Sequence, residues 1–312
     1  MKIINSYRHC ERSEAIPSKD CFVADAPRND RWLLVLLLVG LLILIPISGC
    51  VKGEEKTITA FCGSASKPAM EEGAEVFEQK TGIKVYLNFS GSGTMLSQMK
   101  LSRSGDLYIP GSPDYMVKAE QDGVVEPNSV KIISYLIPAI LVQYGNPKNI
   151  QSLSDVARPG IEVGIANPES VSIGLYAYEI LEYNNLLPEV GGNIVTYGES
   201  YSKIVSLVAL KAVDAIIGWR VFSEWQPETI EVVYLKPEQI PRLAYIPGAV
   251  STFTQDRDSA QRFLDFLVSP AGQEIFSKWG YIATESEARK FAPNAEIGGE
   301  YELPKTYEPL GK

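Results

Sequence analysis

Along most of the chain, stretches that alternate polar and apolar residues give way to stretches with helical spacing. Residues 57–62 (TITAFC) alternate and are rich in β-branched side chains, which predicts a strand. A turn at 63–68 opens a helix, with Ser66 placed as its N-cap and Pro68 in the tolerated first turn. Met70, Ala74 and Phe77 fall on one helical face, and Gly82 ends the helix. A second strand is predicted at 83–89. After Ser90-Gly91-Ser92-Gly93 comes a helix over 94–101, then a strand at 106–109 and a helix opening at Pro113. This strand–helix order predicts a parallel α/β sheet. An extended apolar run at 137–143 leaves that unit. A second α/β unit follows, with strands at 161–166, 194–197, 215–219 and 231–234, a turn at 167–174 leading into a helix that runs to about 182, and a helix over 200–211. Residues 243–250 run back toward the first unit, two helices occupy 258–268 and 270–279, and 291–312 wraps the surface. A unit, a second unit and a return is the order of a two-lobe clamp. Each lobe is expected to hold a mostly parallel sheet flanked by helices, with 57–138 plus 244–312 in the first lobe and 139–243 in the second.

The front of the chain reads differently. Residues 33–45 (LLVLLLVGLLILI) have the length of a secretory h-region and fall short of the ~20 residues a transmembrane helix needs. Lys19, Arg28 and Arg31 precede it, and Pro46-Ile47-Ser48-Gly49-Cys50 follows and resembles a bacterial lipobox. That resemblance implies cleavage before Cys50, diacylation of its sulfur, and a lipid-anchored, extracytoplasmic protein tethered through residues 50–56. The competing reading is an uncleaved signal anchor with a chance cysteine. Residues 1–30 show no period and resemble translated repeat sequence ahead of an over-extended reading frame, so 1–49 is expected to be a leader.

Composition narrows the chemistry. The 312 residues carry 29 Lys+Arg against 38 Asp+Glu, a net charge of −9, which offers no diffuse attraction to nucleic acid or anionic lipid. The only histidine, His9, lies in the expected leader. Without it, Ser–His–Asp and Cys–His nucleophiles and His-ligated metals are out of reach. Cys10, Cys21, Cys50 and Cys62 show no CxxC spacing, and beyond the leader only Cys62 accompanies the lipidated cysteine, so no intrachain disulfide is expected.

Small hydroxyl residues concentrate at four strand-to-helix junctions: Ser64/Ser66, Ser90/Ser92/Thr94, Ser170/Ser172 and Ser200/Tyr201/Ser202. In a parallel sheet these junctions share one rim. Helix N-termini offer free N–H groups and about half a positive charge, and serine adds an uncharged donor. Such a rim can hold an anion without Lys, Arg or metal. The plain alternative for each serine is helix capping. Asp106 could orient the serine loop or cap a turn. Cys62 is expected to pack, and Arg220 to point into solvent, opposite Trp219 on its strand.

The stretches GSASKPAMEEGAEVFEQKTGIKVYLNFSGSGTMLSQM, GDLYIPGSPDYM, IEVGIANPESVSIGLYAYEIL and DAIIGW resemble, in that order, the periplasmic molybdate/tungstate-binding components of ABC transporters, a class II solute-binding family. The resemblance covers roughly 57–282. It implies a monomeric binding protein, not an enzyme and without a cofactor, that grips a tetrahedral oxyanion between its lobes and passes it to a membrane permease driven by an ATPase. It implies one serine from the first turn (Ser66 or Ser64), a second at Ser92, backbone N–H groups from Ile173 and Tyr201, and a donor at Trp219. The family has a tyrosine hydroxyl where Trp219 stands, and an indole N–H is likewise donor-only. Tyr201 could replace that phenol or sit on the surface. Two other functions compete. One is a binding protein for ferric iron or a small organic anion, for which Tyr176, Tyr178, Tyr197 and Tyr201 lie near the expected cleft. The other is a carboxylate-based hydrolase, for which no paired motif exists.

Overall fold

The computed structural model describes residues 56–307; the expected leader, Cys50 and the tether through residue 55 lie outside the described residues. The first sheet grows from β1 (Thr57–Gly63), β2 (Lys84–Ser90) and β3 (Leu107–Ile109), all parallel, with β1 in the middle. Between them run α1 (Lys67–Thr81) and α2 (Ser92–Ser102), and α3 (Pro113–Gln121) follows β3. Gly82 stops α1 at φ 70°, a left-handed conformation that glycine adopts without a Cβ penalty, and its N–H donates to Glu78 O.

Residues 131–143 are one extended run that serves two sheets. β4 (Lys131–Leu136) pairs with the first sheet and β5 (Pro138–Gln143) with the second, so the change of sheet falls at Ile137. The second sheet has the order β7-β6-β8-β5-β9, built from β6 (Val163–Ala166), β7 (Ile194–Gly198), β8 (Ala215–Trp219) and β9 (Ile230–Tyr234). Its helices are α4 (Ser172–Tyr183), the short α5 (Leu187–Gly191), α6 (Tyr201–Ala209) and the single turn α7 (Phe222–Trp225). β10 (Arg242–Val250) then returns to the first sheet. There it runs antiparallel to both β3 and β4, shifting register at Pro247, a residue that cannot donate to a ladder.

The result is two α/β lobes joined by two crossings. The strands that change lobes, β5 and β10, run antiparallel to their main neighbours, so each sheet is mixed where a mostly parallel one was expected. Parallel pairing follows from βαβ crossovers, whereas a strand arriving from the other lobe has no such helix to reverse it.

Helices α8 (Arg257–Val268) and α9 (Pro270–Lys278) cover the first sheet, where Phe263 packs 5.0 Å, centroid to centroid, from Phe77 of α1. Each such fully buried aromatic contributes ~1.5–3 kcal/mol of transfer free energy. A last short helix, α10 (Glu285–Ala288), precedes β11 (Glu296–Ile297), which extends β10 in parallel. The C-terminal segment does more than wrap a surface. Tyr301 packs on Tyr115 of the first lobe, and Tyr307 donates to Asn167 Oδ1 of the second at 3.2 Å. Among the described residues no helix is long and apolar enough to cross a membrane.

Candidate functional site

Where the two lobes meet, the ends of β1, β2 and β3 face the starts of α4 and α6 and the end of β8. The residues at this junction are Gly63, Ser64, Ala65, Ser90, Gly91, Ser92 and Gly111 from the first lobe and Val171, Ser172, Ile173, Tyr201 and Trp219 from the second. None of these side chains is charged. They enclose a small cavity of about 10 Å³, room for one water-sized body. A larger groove of about 590 Å³ lies under the C-terminal segment, but Glu179, Glu182, Glu296, Glu300 and Glu302 line it, and their charge would repel an anion.

The serines are wired across the cleft. Ser92, the first residue of α2, has its Oγ 2.9 Å from Ser172 Oγ on the opposite lobe and accepts from Gly111 N–H at 3.0 Å. Tyr108 holds the loop by donating its hydroxyl to Ser92 O at 2.8 Å. Ser64 Oγ accepts from the Tyr201 backbone N–H at 3.1 Å, again from lobe to lobe. Gly93 N–H donates to Ser170 O at 2.9 Å, and Tyr115 donates its hydroxyl to Pro168 O at 3.1 Å. Ile173 is the second residue of α4, so its N–H has no partner inside the helix and adds to the positive end of the dipole.

Trp219 is fully buried at the end of β8, with its indole N–H unpaired among the described residues. An unpaired buried donor costs ~1–3 kcal/mol, so a group able to accept from it at the cavity would be favoured there.

Other residues take different parts from those the sequence suggested. Ser66 stands off the cavity: within the tight turn Ser64–Ser66 its hydroxyl donates back to Gly63 O at 3.0 Å, which leaves Ser64 as the serine facing the opposite lobe. Nor does Ser66 cap α1 with its side chain. Tyr201 does not sit on the surface. It lines the cavity, its ring is buried and stacked on Phe222, and its hydroxyl, close to Gly218, is unpaired among the described residues. Burial pushes that phenol well above its usual pKa, so it stays neutral.

Asp106 does not touch the serine loop. Its carboxylate accepts from Thr59 N–H and the Thr254 hydroxyl, tying β1 to the loop after β10. Arg220 points away from the cavity and donates to Gly280 O while lying over Phe291. Cys62 packs in the core, where burial pushes its thiol up and out of reach of ionisation. Tyr176, Tyr178 and Tyr197 do not line the cavity, and Tyr178 and Tyr197 hydrogen-bond to each other. No carboxylate lines the cavity, and the tyrosine that does, Tyr201, is held neutral by burial, so the lining presents no anionic ligand of the kind a ferric site uses.

Sequence reasoning missed Gly111, whose N–H reaches the Ser92 hydroxyl, and placed Ser172 on the rim without its partner. Ser172 sits in a junction whose hydroxyl content was visible, but its facing partner Ser92 lies 80 residues away.

Comparison with known proteins places this geometry in context. Residues 58–282 match the family described as bacterial extracellular solute-binding protein. Molybdate-binding protein ModA of Rhodobacter capsulatus is 26% identical over 228 residues, covering 73% of this chain and 88% of that protein. Molybdate-binding protein ModA of Escherichia coli K12 is 23% identical over 264 residues, covering 80% and 98%. The solved structure of the sulfate-binding protein SubI from Mycobacterium tuberculosis H37Rv superposes with a TM-score of 0.67 at 17% identity, covering 78% of this chain and 94% of that one, a likeness of fold.

Proposed function

Since the chain belongs to the bacterial extracellular solute-binding proteins, we propose that it is the capture component of an ABC importer and closes its lobes on a tetrahedral, fully deprotonated oxyanion, molybdate or tungstate. The observation that carries this reading is the lining itself: uncharged donors from both lobes converge on one cavity that holds no acid, no base and no carboxylate. Ser64, Ser92 and Ser172 contribute hydroxyls, Ile173 and Tyr201 backbone N–H groups, and Trp219 its indole N–H.

Uptake on this reading is an exchange of partners. The Ser64–Tyr201 and Ser92–Ser172 bonds join the lobes directly. An anion larger than the cavity would enter as the lobes swing apart, and the same donors would then point to its oxygens. The backbone and indole N–H groups cannot accept a hydrogen bond, so a hydrogen phosphate O–H aimed at one of them meets a mismatch costing ~1–3 kcal/mol unless a serine hydroxyl turns to accept it, whereas a bare dianion meets none. Molybdate, tungstate and sulfate all pass that test at neutral pH; the names of the ModA relatives favour molybdate, and tungstate matches it in charge and shape. Cys50 would carry the lipid that holds the protein at the outer face of the membrane. The closed monomer would dock on the permease.

Isothermal titration with molybdate, tungstate, sulfate and phosphate tests the ligand. The expected result is binding of molybdate and tungstate at least about tenfold tighter than phosphate. Heat with phosphate alone, or with none of the four, would refute the reading, and a preference for sulfate would reassign the ligand. Trp219→Phe, which keeps an aromatic ring but loses the N–H, is expected to weaken molybdate binding about tenfold, on the scale of one hydrogen bond to a charged group. An unchanged affinity in the same titration would remove Trp219 from the site.

A further inference from the structure

A fully buried carboxylate sits at the junction of the lobes, outside the anion cavity. Asp114 lies in the first turn of α3, in the first lobe, and is 0% exposed. Its Oδ1 accepts from Arg242 Nη1 at 2.6 Å, and its Oδ2 accepts from the Tyr176 hydroxyl at 3.1 Å. Arg242 is the first residue of β10, where the chain returns from the second lobe to the first. Its Nε donates to Glu179 at 2.8 Å, and its guanidinium lies 4.1 Å from the centre of the Tyr176 ring. Tyr176 and Glu179 are one turn apart on α4, the helix whose first residues line the cavity. The Tyr176 ring in turn meets the Trp219 indole edge-on, 5.1 Å between centroids.

We propose that Asp114, Arg242 and Tyr176 form a latch of positioning residues that holds α4, and through the Tyr176 ring the Trp219 indole, in place when the lobes close. The physical reason is the cost of a buried charge. A carboxylate removed from water is tolerated only with its hydrogen bonds complete. The Tyr176 bond to Asp114 crosses from one lobe to the other, so it is made only when the lobes are together. Opening the cleft takes that donor from a buried carboxylate, and closing restores it. Arg242, at the crossing, holds both sides at once, and its planar fork satisfies the two acids in a way a lysine cannot. The anion would therefore leave slowly because the latch, outside the cavity lining, opposes the opening step.

The inference rests on the oxyanion reading only for its probe. The test uses the full chain with Tyr176→Phe and, separately, Arg242→Lys. Three quantities are read: the dissociation rate of molybdate followed by tryptophan fluorescence, the thermal midpoint without anion, and the radius of gyration from small-angle scattering with and without molybdate. Tyr176→Phe is expected to release molybdate about tenfold faster, with the association rate and the anion-free midpoint nearly unchanged, because the missing bond exists only in the closed form. Arg242→Lys should move the dissociation rate in the same direction. An unchanged dissociation rate, or a lowered midpoint with unchanged release, would overturn the latch. If the unaltered protein binds none of the anions, the ligand assignment fails by itself. Scattering then decides the latch: a larger radius for Tyr176→Phe than for the unaltered protein supports it, and equal radii refute it.

Discussion

Replacing Gly91 with alanine is expected to weaken anion binding by about a hundredfold or more while leaving the anion-free protein close to its original stability. Gly91 lies at φ −61°, ψ 146°, an extended conformation open to any L-residue, so the local backbone does not need glycine. The requirement comes from the other lobe. A Cβ at this position would stand 2.5 Å from Ser170 O and 3.0 Å from Glu199 O. Both are backbone atoms of the second lobe and cannot rotate aside. An alanine would hold the lobes apart just where Gly93 N–H reaches Ser170 O and Ser92 faces Ser172. Overpacking of this kind costs ~1–3 kcal/mol, and each cross-lobe donor kept from its acceptor costs ~1 kcal/mol more. With the lobes apart nothing clashes, so the thermal midpoint without anion should hardly move. Titration calorimetry beside a thermal melt checks both halves, and an undiminished affinity would mean that capture does not need this closed arrangement.

Ser92→Ala is expected to have the next largest effect, a loss of about a hundredfold in affinity. The hydroxyl is the hub of a small network, receiving Gly111 N–H and sharing a hydrogen bond with Ser172. A serine hydroxyl has one proton and two lone pairs. Gly111 takes one lone pair, and when Ser172 donates to the other the Ser92 proton is the group left to face the cavity. Alanine removes that donor, ~1.5–3 kcal/mol for a hydrogen bond to a charged group, while the Gly111 N–H, on the same lobe, loses its acceptor with or without anion and so costs stability rather than affinity. Ser66→Ala is the matched control. Its hydroxyl is spent on Gly63 O, away from the cavity, so the affinity should fall less than about threefold. Equal losses for the two variants, measured by the same titration, would show that the choice of Ser64 over Ser66 at this turn is mistaken.

The same pair of serines shows where local reasoning reaches its limit. Hydroxyl residues near helix starts are visible in a string of letters because junctions are local. Which of Ser64 and Ser66 faces the opposite lobe depends on the phase of a single three-residue turn, and a chain read in one dimension does not carry that phase. Tyr201 makes the point differently. Its backbone N–H, which the family resemblance put at the site, reaches Ser64 from the first turn of α6, whereas its ring stacks on Phe222, a pairing no local pattern announces.

The strands and helices themselves were determined by the sequence alone. Alternation, helical spacing and a glycine at φ 70° are properties of neighbouring residues, and β1, α1, β2 and the elements that follow obey them. The uncharged character of the junctions is of the same kind. Tertiary structure decided how those elements are joined: the switch of sheet at Ile137 inside an unbroken extended run, the antiparallel return of β10, and the meeting of Ser92 with Ser172 and of Asp114 with Tyr176 and Arg242. Each of these pairs residues tens to more than a hundred positions apart. Their free energy comes from burial and from hydrogen bonds completed across the lobes, and these exist only once the chain has folded back on itself.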